Sequence, residues 1–371
     1  MNPTFLPALP ASCPVTGWGV IAAEGADARS FLHGQLSQDV SSLAASAWRL
    51  AAWCSPQGRM LASLWLLAPA PDQVLMLCPQ DLIPVTVQKL SMYVLRAKCR
   101  LRDASADWQL HGHAGTPTGL PADLAAELAG YAPGSKAVAP DATGRLWLEA
   151  GGAASTLQPA ALPLDLDTTP ATVPLQRWLS LTPARAAAPA HDPADPALWA
   201  LSSVALGWPQ ISLATRGHFV PQMINWELLG GVNFRKGCYP GQEVVARSQY
   251  RGTTKRRALT FAAEGTAADG AAATEWAGRE VLLRTGDTLA AVGEIIQAAS
   301  MSGPSGAVFG LMELQLSALD ALAAGATLHL GEPAKAEGET PAQAAAPATP
   351  TPTGPALTLL QPAYALARAQ D

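Results

Sequence analysis

The sequence predicts an α+β fold of two or three cooperating domains that ends in a small β-barrel or sandwich. Three observations lead there. At 371 residues the chain is long for one domain, and 49% apolar residues supply ample material for a packed core. Strand-like and helix-like periods alternate through roughly the first third of the chain and return near residue 195. From Ala258 to Leu330 they give way to short alternating runs, "EVLLRT", "AAVGEII" and "ATLHL", separated by glycines.

Taken in order, residues 1–13 are expected to form an irregular arm. The first 23 residues carry no charged side chain, but no basic segment precedes the apolar ones. Pro3, Pro7, Pro10 and Pro14 also interrupt any apolar helix, which argues against an export signal. "TGWGVIAAEGADARSFLHGQLSQDV" reads as a strand, a tight turn at Gly25, and a helix with Phe31, Leu32 and Leu36 on one face. "WRLAAWCSPQGRMLASLWLLA" reads as two strands joined by a Ser-Pro-Gln-Gly turn. The apolar run "MLASLWLLAPA" is too short for a bilayer and ends in prolines, so a buried element is expected and no membrane partner. "VLMLC" adds a strand and "LIPVTVQKLSMYVLRAKC" a helix. Residues 112–196 are rich in Ala, Pro and Gly, and no period there assigns elements.

Order returns at "DPALWALSSVALG". Asp195 can cap, Pro196 suits the first helical position, and Gly207 can end the helix in a left-handed conformation. Leu198, Leu201 and Ala205 form the core stripe of that helix, with Trp199 beside it. Residues 334–355 lack large apolar side chains and read as a disordered linker, whereas "ALTLLQPAYAL" beyond it reads as a last strand returning to the barrel.

The chemistry concentrates in "RKGCYPGQE", residues 235–243. The five cysteines are odd in number, widely spaced and without a C-x-x-C pair, which argues against disulfides and a preformed zinc site and favours a reducing, cytoplasmic setting. Gly237 and Gly241 permit backbone conformations closed to other residues and let a partner come close. Pro240 suits a first helical turn, which would put Cys238 just outside a helix N-terminus. The helix dipole, Lys236 and Arg235 would then favour the thiolate. The plainer reading is a small buried hydrophobe, which is what free cysteines usually are. Gln242 and Glu243 have an ordinary role too, satisfying amides in a first helical turn. No His, Cys or carboxylate cluster nearby completes a metal site, so any metal or cluster contact would be transient or shared with a partner.

Net charge is −5, which does not favour nucleic acid or acidic lipid as bulk partners. Between residues 235 and 257, however, seven cations (Arg235, Lys236, Arg247, Arg251, Lys255, Arg256, Arg257) face one anion, Glu243, a local charge of +6. Such a block is either a solvated face or an anion site. No nucleophile elbow, P-loop, dinucleotide fingerprint or paired acid and base is visible.

The segment "GHFVPQMINWELLGGVNFRKGCYPGQEVVARSQYRGTTKRRAL" closely resembles the signature of the YgfZ folate-binding family, K-G-C-Y-x-G-Q-E followed by an Arg and a K-R pair. "GADARSFLHGQLSQDV" and "LTLLQPAYAL" resemble that family's N-terminal helix and closing strand. The resemblance implies a fold shared with the glycine cleavage T-protein: interlocked α/β subdomains (residues 14–257) around a central folate cavity, and a C-terminal β-barrel (258–333). The 334–355 linker and a terminal strand in 356–371 complete it. It further implies tetrahydrofolate or a derivative as cofactor. Iron–sulfur proteins would be the clients, with transient cluster contact, among them the enzyme that methylthiolates tRNA. The motif carries over onto Lys236, Gly237, Cys238, Tyr239, Gly241, Gln242, Glu243 and Arg247, and the family's folate-contacting tryptophans match Trp18 and Trp199.

A flat pterin ring stacks well on indole, so a tryptophan clamp makes physical sense, although core packing is the ordinary fate of an indole. The anionic glutamate tail of a folate, or tRNA, would be the ligand for Arg247–Arg257. Two other functions compete with iron–sulfur maturation. One is aminomethyl or other one-carbon transfer, but the paired aspartates of the T-protein turn correspond to Ala62 and Ser63, which cannot carry charge beside a developing cation. The other is an RNA-binding adaptor without catalytic turnover.

Overall fold

A computed structural model of the protein describes residues 11–114, 138–140, 144–168, 170–186, 195–252, 254–265, 272–300, 306–334 and 352–366. The chain opens with β1 (Ala11–Pro14), β2 (Trp18–Glu24) and α1 (Ala28–Gln35). It continues through β3 (Trp48–Cys54), β4 (Met60–Ala70), β5 (Gln73–Pro79), α2 (Ile83–Ser91) and β6 (Arg100–Asp103). Next come β7 (Trp108–Ala114), β8 (Val138–Pro140), β9 (Leu146–Glu149), β10 (Gly152–Ser155), β11 (Thr172–Leu175), β12 (Arg177–Pro183) and α3 (Ala197–Ala205). After α4 (Gln242–Tyr250) follow β13 (Arg256–Ala263), β14 (Arg279–Thr285), β15 (Thr288–Ser300), β16 (Val308–Gln315), α5 (Ala318–Ala323), β17 (Thr327–Pro333) and β18 (Ala356–Leu359).

Two antiparallel sheets, β3-β4-β5-β2-β6 and β1-β7-β12-β9-β8, share the first half of the chain. Because β1 pairs with β7 before β2 enters the other sheet, the chain crosses between them twice and interlocks them. Residues 11–13 of the expected arm are therefore strand, held by ladder bonds to β7. The β3–β4 hairpin turns at Ser55–Gly58, where Gly58 has φ +75° and donates its N–H to Ser55 O. In β4 every residue from Ala62 to Ala68 is buried, so this strand is covered on both faces and its apolar run has no alternation. Among the described residues no helix is long and apolar enough to cross a membrane.

The C-terminal part is a closed barrel in the order β13-β16-β15-β14-β17-β18. β18 pairs with both β13 and β17 and so removes the free edges. Of the expected linker, residues 335–351 lie outside the described residues. Its end lies against the barrel, where Thr353 N–H donates to Leu330 O and Arg279 donates to the Thr353 hydroxyl at 2.7 Å.

Candidate functional site

Cys238 is the one exposed thiol of the five. Cys13, Cys54 and Cys78 are buried, and that burial pushes their thiols up to about 11, about 12 and about 12. Cys99, half-buried, is raised by desolvation and by Asp27. Such thiols are inert at neutral pH, which leaves Cys238 as the one open to chemistry.

Its loop is pinned at both ends. Lys236 Nζ donates to the carbonyls of His33 and Leu36, the latter at 2.8 Å, and so caps the C-terminal end of α1. The same ammonium lies 5.0 Å from the centre of the Tyr239 ring. Desolvation lowers Lys236 to about 8 against the opposing pull of Asp39 and Cys238. At the other end Gly241 has φ +81°, and a Cβ there would sit 2.3 Å from Ser55 O and 2.7 Å from Gly58 Cα. Only glycine lets the loop dock this tightly on the β3–β4 turn.

The structure corrects the expected helix start. α4 begins at Gln242 with Gly241 as its left-handed N-cap, so Pro240 is outside the helix and Cys238 lies three residues before the cap. The dipole argument for a thiolate therefore loses its geometry, because the helix field falls off within a turn. Gln242 and Glu243 occupy the first turn behind a glycine cap that has no side chain to bond with, and Glu243 and Arg247 are exposed. Tyr239 is buried; its hydroxyl has no partner among the described residues and burial raises its pKa well above the usual phenol range.

Two neighbours of this loop carry no signal in the sequence. His33 Nδ1 lies 3.0 Å from Asp39 Oδ1, and its Nε2 would be 3.8 Å from a Cβ on Gly237. Desolvation tends to raise Asp39, but hydrogen bonds from Ser41 and Ser42 win and hold its carboxyl well below the usual range. It is thus ionised and fixes the imidazole. His33 and Lys236 are 203 positions apart in sequence, a contact that local periodicity cannot reveal.

A cleft of about 370 Å³ opens between Gly17 and Trp18 at the start of β2, Ser203 and Val204 of α3, Gln210, and Gln297 of β15. Trp18 lines it and Trp199 does not. The two rings meet edge to face, 6.4 Å between centroids at 82°, rather than as parallel plates of a clamp. Trp199 is 4% exposed because Arg177 covers it, the guanidinium 4.1 Å from the ring centroid. Arg177 is fully buried and donates to Ala150 O at 3.0 Å, Ser202 Oγ at 2.9 Å and Ser203 Oγ at 2.8 Å, and burial lowers its pKa to about 9.

The basic stretch is likewise divided. Arg256 forms two bonds of 2.8 Å to the Glu313 carboxylate, and Arg257 is buried against Glu227. Arg235, Arg247, Arg251 and Lys255 are exposed. The seven cations do not form one anion-binding face.

No family model matches the chain. The tRNA-modifying protein YgfZ of Klebsiella pneumoniae (strain 342) is 31% identical over 286 residues, 76% of this chain and 79% of that protein. The tRNA-modifying protein YgfZ of Edwardsiella ictaluri (strain 93-146) is 34% identical over 286 residues, 76% and 78% of the two chains. Among solved structures, the glycine cleavage system aminomethyltransferase T from Bartonella henselae superposes with a TM-score of 0.53, covering 97% of this chain and 87% of that one at 13% identity. The fold is thus T-protein-like, and by its relatives the chain belongs to the YgfZ family.

Proposed function

We propose that the protein is a cytoplasmic, folate-binding factor for tRNA modification, in which Cys238 serves the assembly or repair of iron–sulfur client enzymes. The observation that carries this reading is the exposure of Cys238 alone among the thiols, on a loop fixed by Lys236 and Gly241. The YgfZ relatives and the T-protein-like fold support it. A thiolate is a ligand for iron and a carrier of sulfur, and an exposed one on a rigid loop can reach a cluster held by another protein.

The Trp18 cleft fits a reduced folate. Its volume lies in the usual range for small-molecule sites, on the order of 300–1,000 Å³, and Trp18 offers a flat ring to stack on. Gln297 Oε1 is buried with no partner among the described residues, an acceptor waiting for a pteridine N–H. When bound, a reduced folate supplies a redox-active pteridine and nitrogens that carry one-carbon units. Aminomethyl transfer is disfavoured, because Ala62 is buried and uncharged and Ser63 Oγ already accepts from Ile211 N–H at 2.9 Å.

Titration with 5-formyltetrahydrofolate tests the cleft. Trp18→Ala is expected to weaken binding by about tenfold, the value of a lost aromatic stack, and Gln297→Leu to weaken it without disturbing the Trp18 contacts to Trp65 and Trp199. Native affinity in both variants would remove the folate from this cleft.

A further inference from the structure

A second cleft, of about 470 Å³, shares no lining residue with the Trp18 cleft. Its walls carry Arg59, Arg216, His218 and Arg256 together with Glu294 and Glu313. Both carboxylates are engaged: Glu313 by the two-bond pairing with Arg256, Glu294 by His218 Nδ1 at 2.6 Å. Three guanidinium groups against two carboxylates leave the cleft cationic even with His218 neutral.

Arg216 is the residue that this balance does not explain. Its Nε is buried with no partner among the described residues, and its guanidinium lies 5.9 Å from the centre of the Trp53 ring. Desolvation lowers its pKa, so holding the charge there is unfavourable without an anion. Yet the backbone is built to place it. Ser212 and Thr215 form a reciprocal capping box just before it, and Gly217, at φ +86°, donates its N–H to Met60 O. Arg59, across the cleft, donates to His218 O and is thereby directed toward the same loop. Two guanidinium groups lining one cleft repel one another, and a buried donor without a partner is costly. An oxyanion between them would relieve both, since a guanidinium fork matches a carboxylate or a phosphate with two parallel bonds.

We propose that this cleft binds the oxyanion group of a small molecule, a carboxylate or a phosphate, with Arg216 as its principal ligand and Arg59 as the second. The site stands independently of the folate reading, because none of its residues lines the Trp18 cleft. It has a structural link to the cysteine motif. Met223 lines the cleft, and its neighbour Gln222 donates to Val245 O of α4 at 2.9 Å.

The test is calorimetric titration of the full chain, in chloride buffer, with inorganic phosphate and separately with glutarate. Saturable binding in roughly the millimolar range is expected for at least one of them, and the tighter of the two assigns the ligand as phosphate or carboxylate. Arg216→Gln is expected to weaken it at least about tenfold, and Arg216→Lys, which keeps the charge but not the fork, to fall between. Arg59→Gln serves as the second variant should Arg216→Gln fold poorly, and is expected to weaken binding in the same direction. Folate affinity at the Trp18 cleft should not change in either. Absence of saturable binding of both anions to the native chain, or native affinity in both Arg→Gln variants, would overturn the proposal.

Discussion

The two clefts lean on the same barrel strand and have opposite chemistry. β15 gives Ile296, Gln297, Ala298 and Ala299 to the Trp18 cleft and Glu294 to the arginine cleft, and its register with β16 breaks between Ile295 and Gln297. A bulge re-aims the side chains of one strand, so a single element can wall two sites. The opposing walls then set the character of each: α3 and Trp18 on one side, the Arg216–Met223 loop on the other. An arginine beside an indole stands near each, lining the second cleft and lying behind the wall of the first, and these two differ in kind. Arg177, behind Ser203, is fully buried and makes three hydrogen bonds, which is how a structural cation is held. Arg216 is half-buried and opens onto the cleft, where its charge can meet a ligand; an unpartnered nitrogen does not separate the two, since Arg177 Nη2, like Arg216 Nε, is buried without a partner among the described residues.

The sharpest way to break that contrast is to remove each cation. Arg177→Ala should destabilise the fold by about 3–5 kcal/mol, because it strips a buried cation from its hydroxyl and carbonyl partners and leaves a hole among indoles. Arg216→Gln should cost less than about 1 kcal/mol, as is usual for partly exposed sites. Urea unfolding of the two variants decides it, and equal losses would erase the distinction. Gly241→Ala comes next. At φ +81° with Ser55 O so close, a side chain should cost about 1–3 kcal/mol and loosen the Cys238 loop, read as faster cleavage near residue 238 in limited proteolysis.

Lys236 gives an effect that depends on pH. Its folded-state pKa, about 8, lies below the unfolded value of about 10.4. Across that window the unfolded chain binds more protons, so stability rises with pH as the cost of burying the charge is relieved. Native protein should therefore gain stability relative to Lys236→Met between pH 8 and roughly pH 10. A difference that stays flat or falls there would show that the ammonium is not desolvated at the end of α1. Cys238→Ala should move stability least, within about 0.5 kcal/mol, since its side chain is exposed.

What could be read from the sequence was what local chemistry decides. The Ser55–Gly58 hairpin and the cap of α3, with Asp195 Oδ1 accepting from Ala197 N–H at 2.9 Å and Gly207 at φ +65°, follow from residues next to one another. The second sheet was illegible. β8 and β9 are only three and four residues long and pair with each other, and only the pairing of β9 with the more distant β12 joins them to the sheet. The helix start was misplaced because Pro240 and Gly241 make competing demands, and the left-handed cap at Gly241 won through its contact with Ser55 and Gly58. The basic block misled for a simpler reason. Arg256 and Arg257 are neighbours on a strand, so they point to opposite faces, one to Glu313 and the other into the core beside Glu227. Adjacency in sequence is not a shared surface.

If the exposed thiol of Cys238 acts in tRNA modification, its removal should be read in the tRNA itself. The direct measurement is the methylthiolated fraction of tRNA in bacteria lacking their own YgfZ, supplied with the native chain or with Cys238→Ala at matched protein levels. Restoration by the native chain alone is expected. Equal restoration by both would contradict it and reduce Cys238 to an exposed side chain of no consequence.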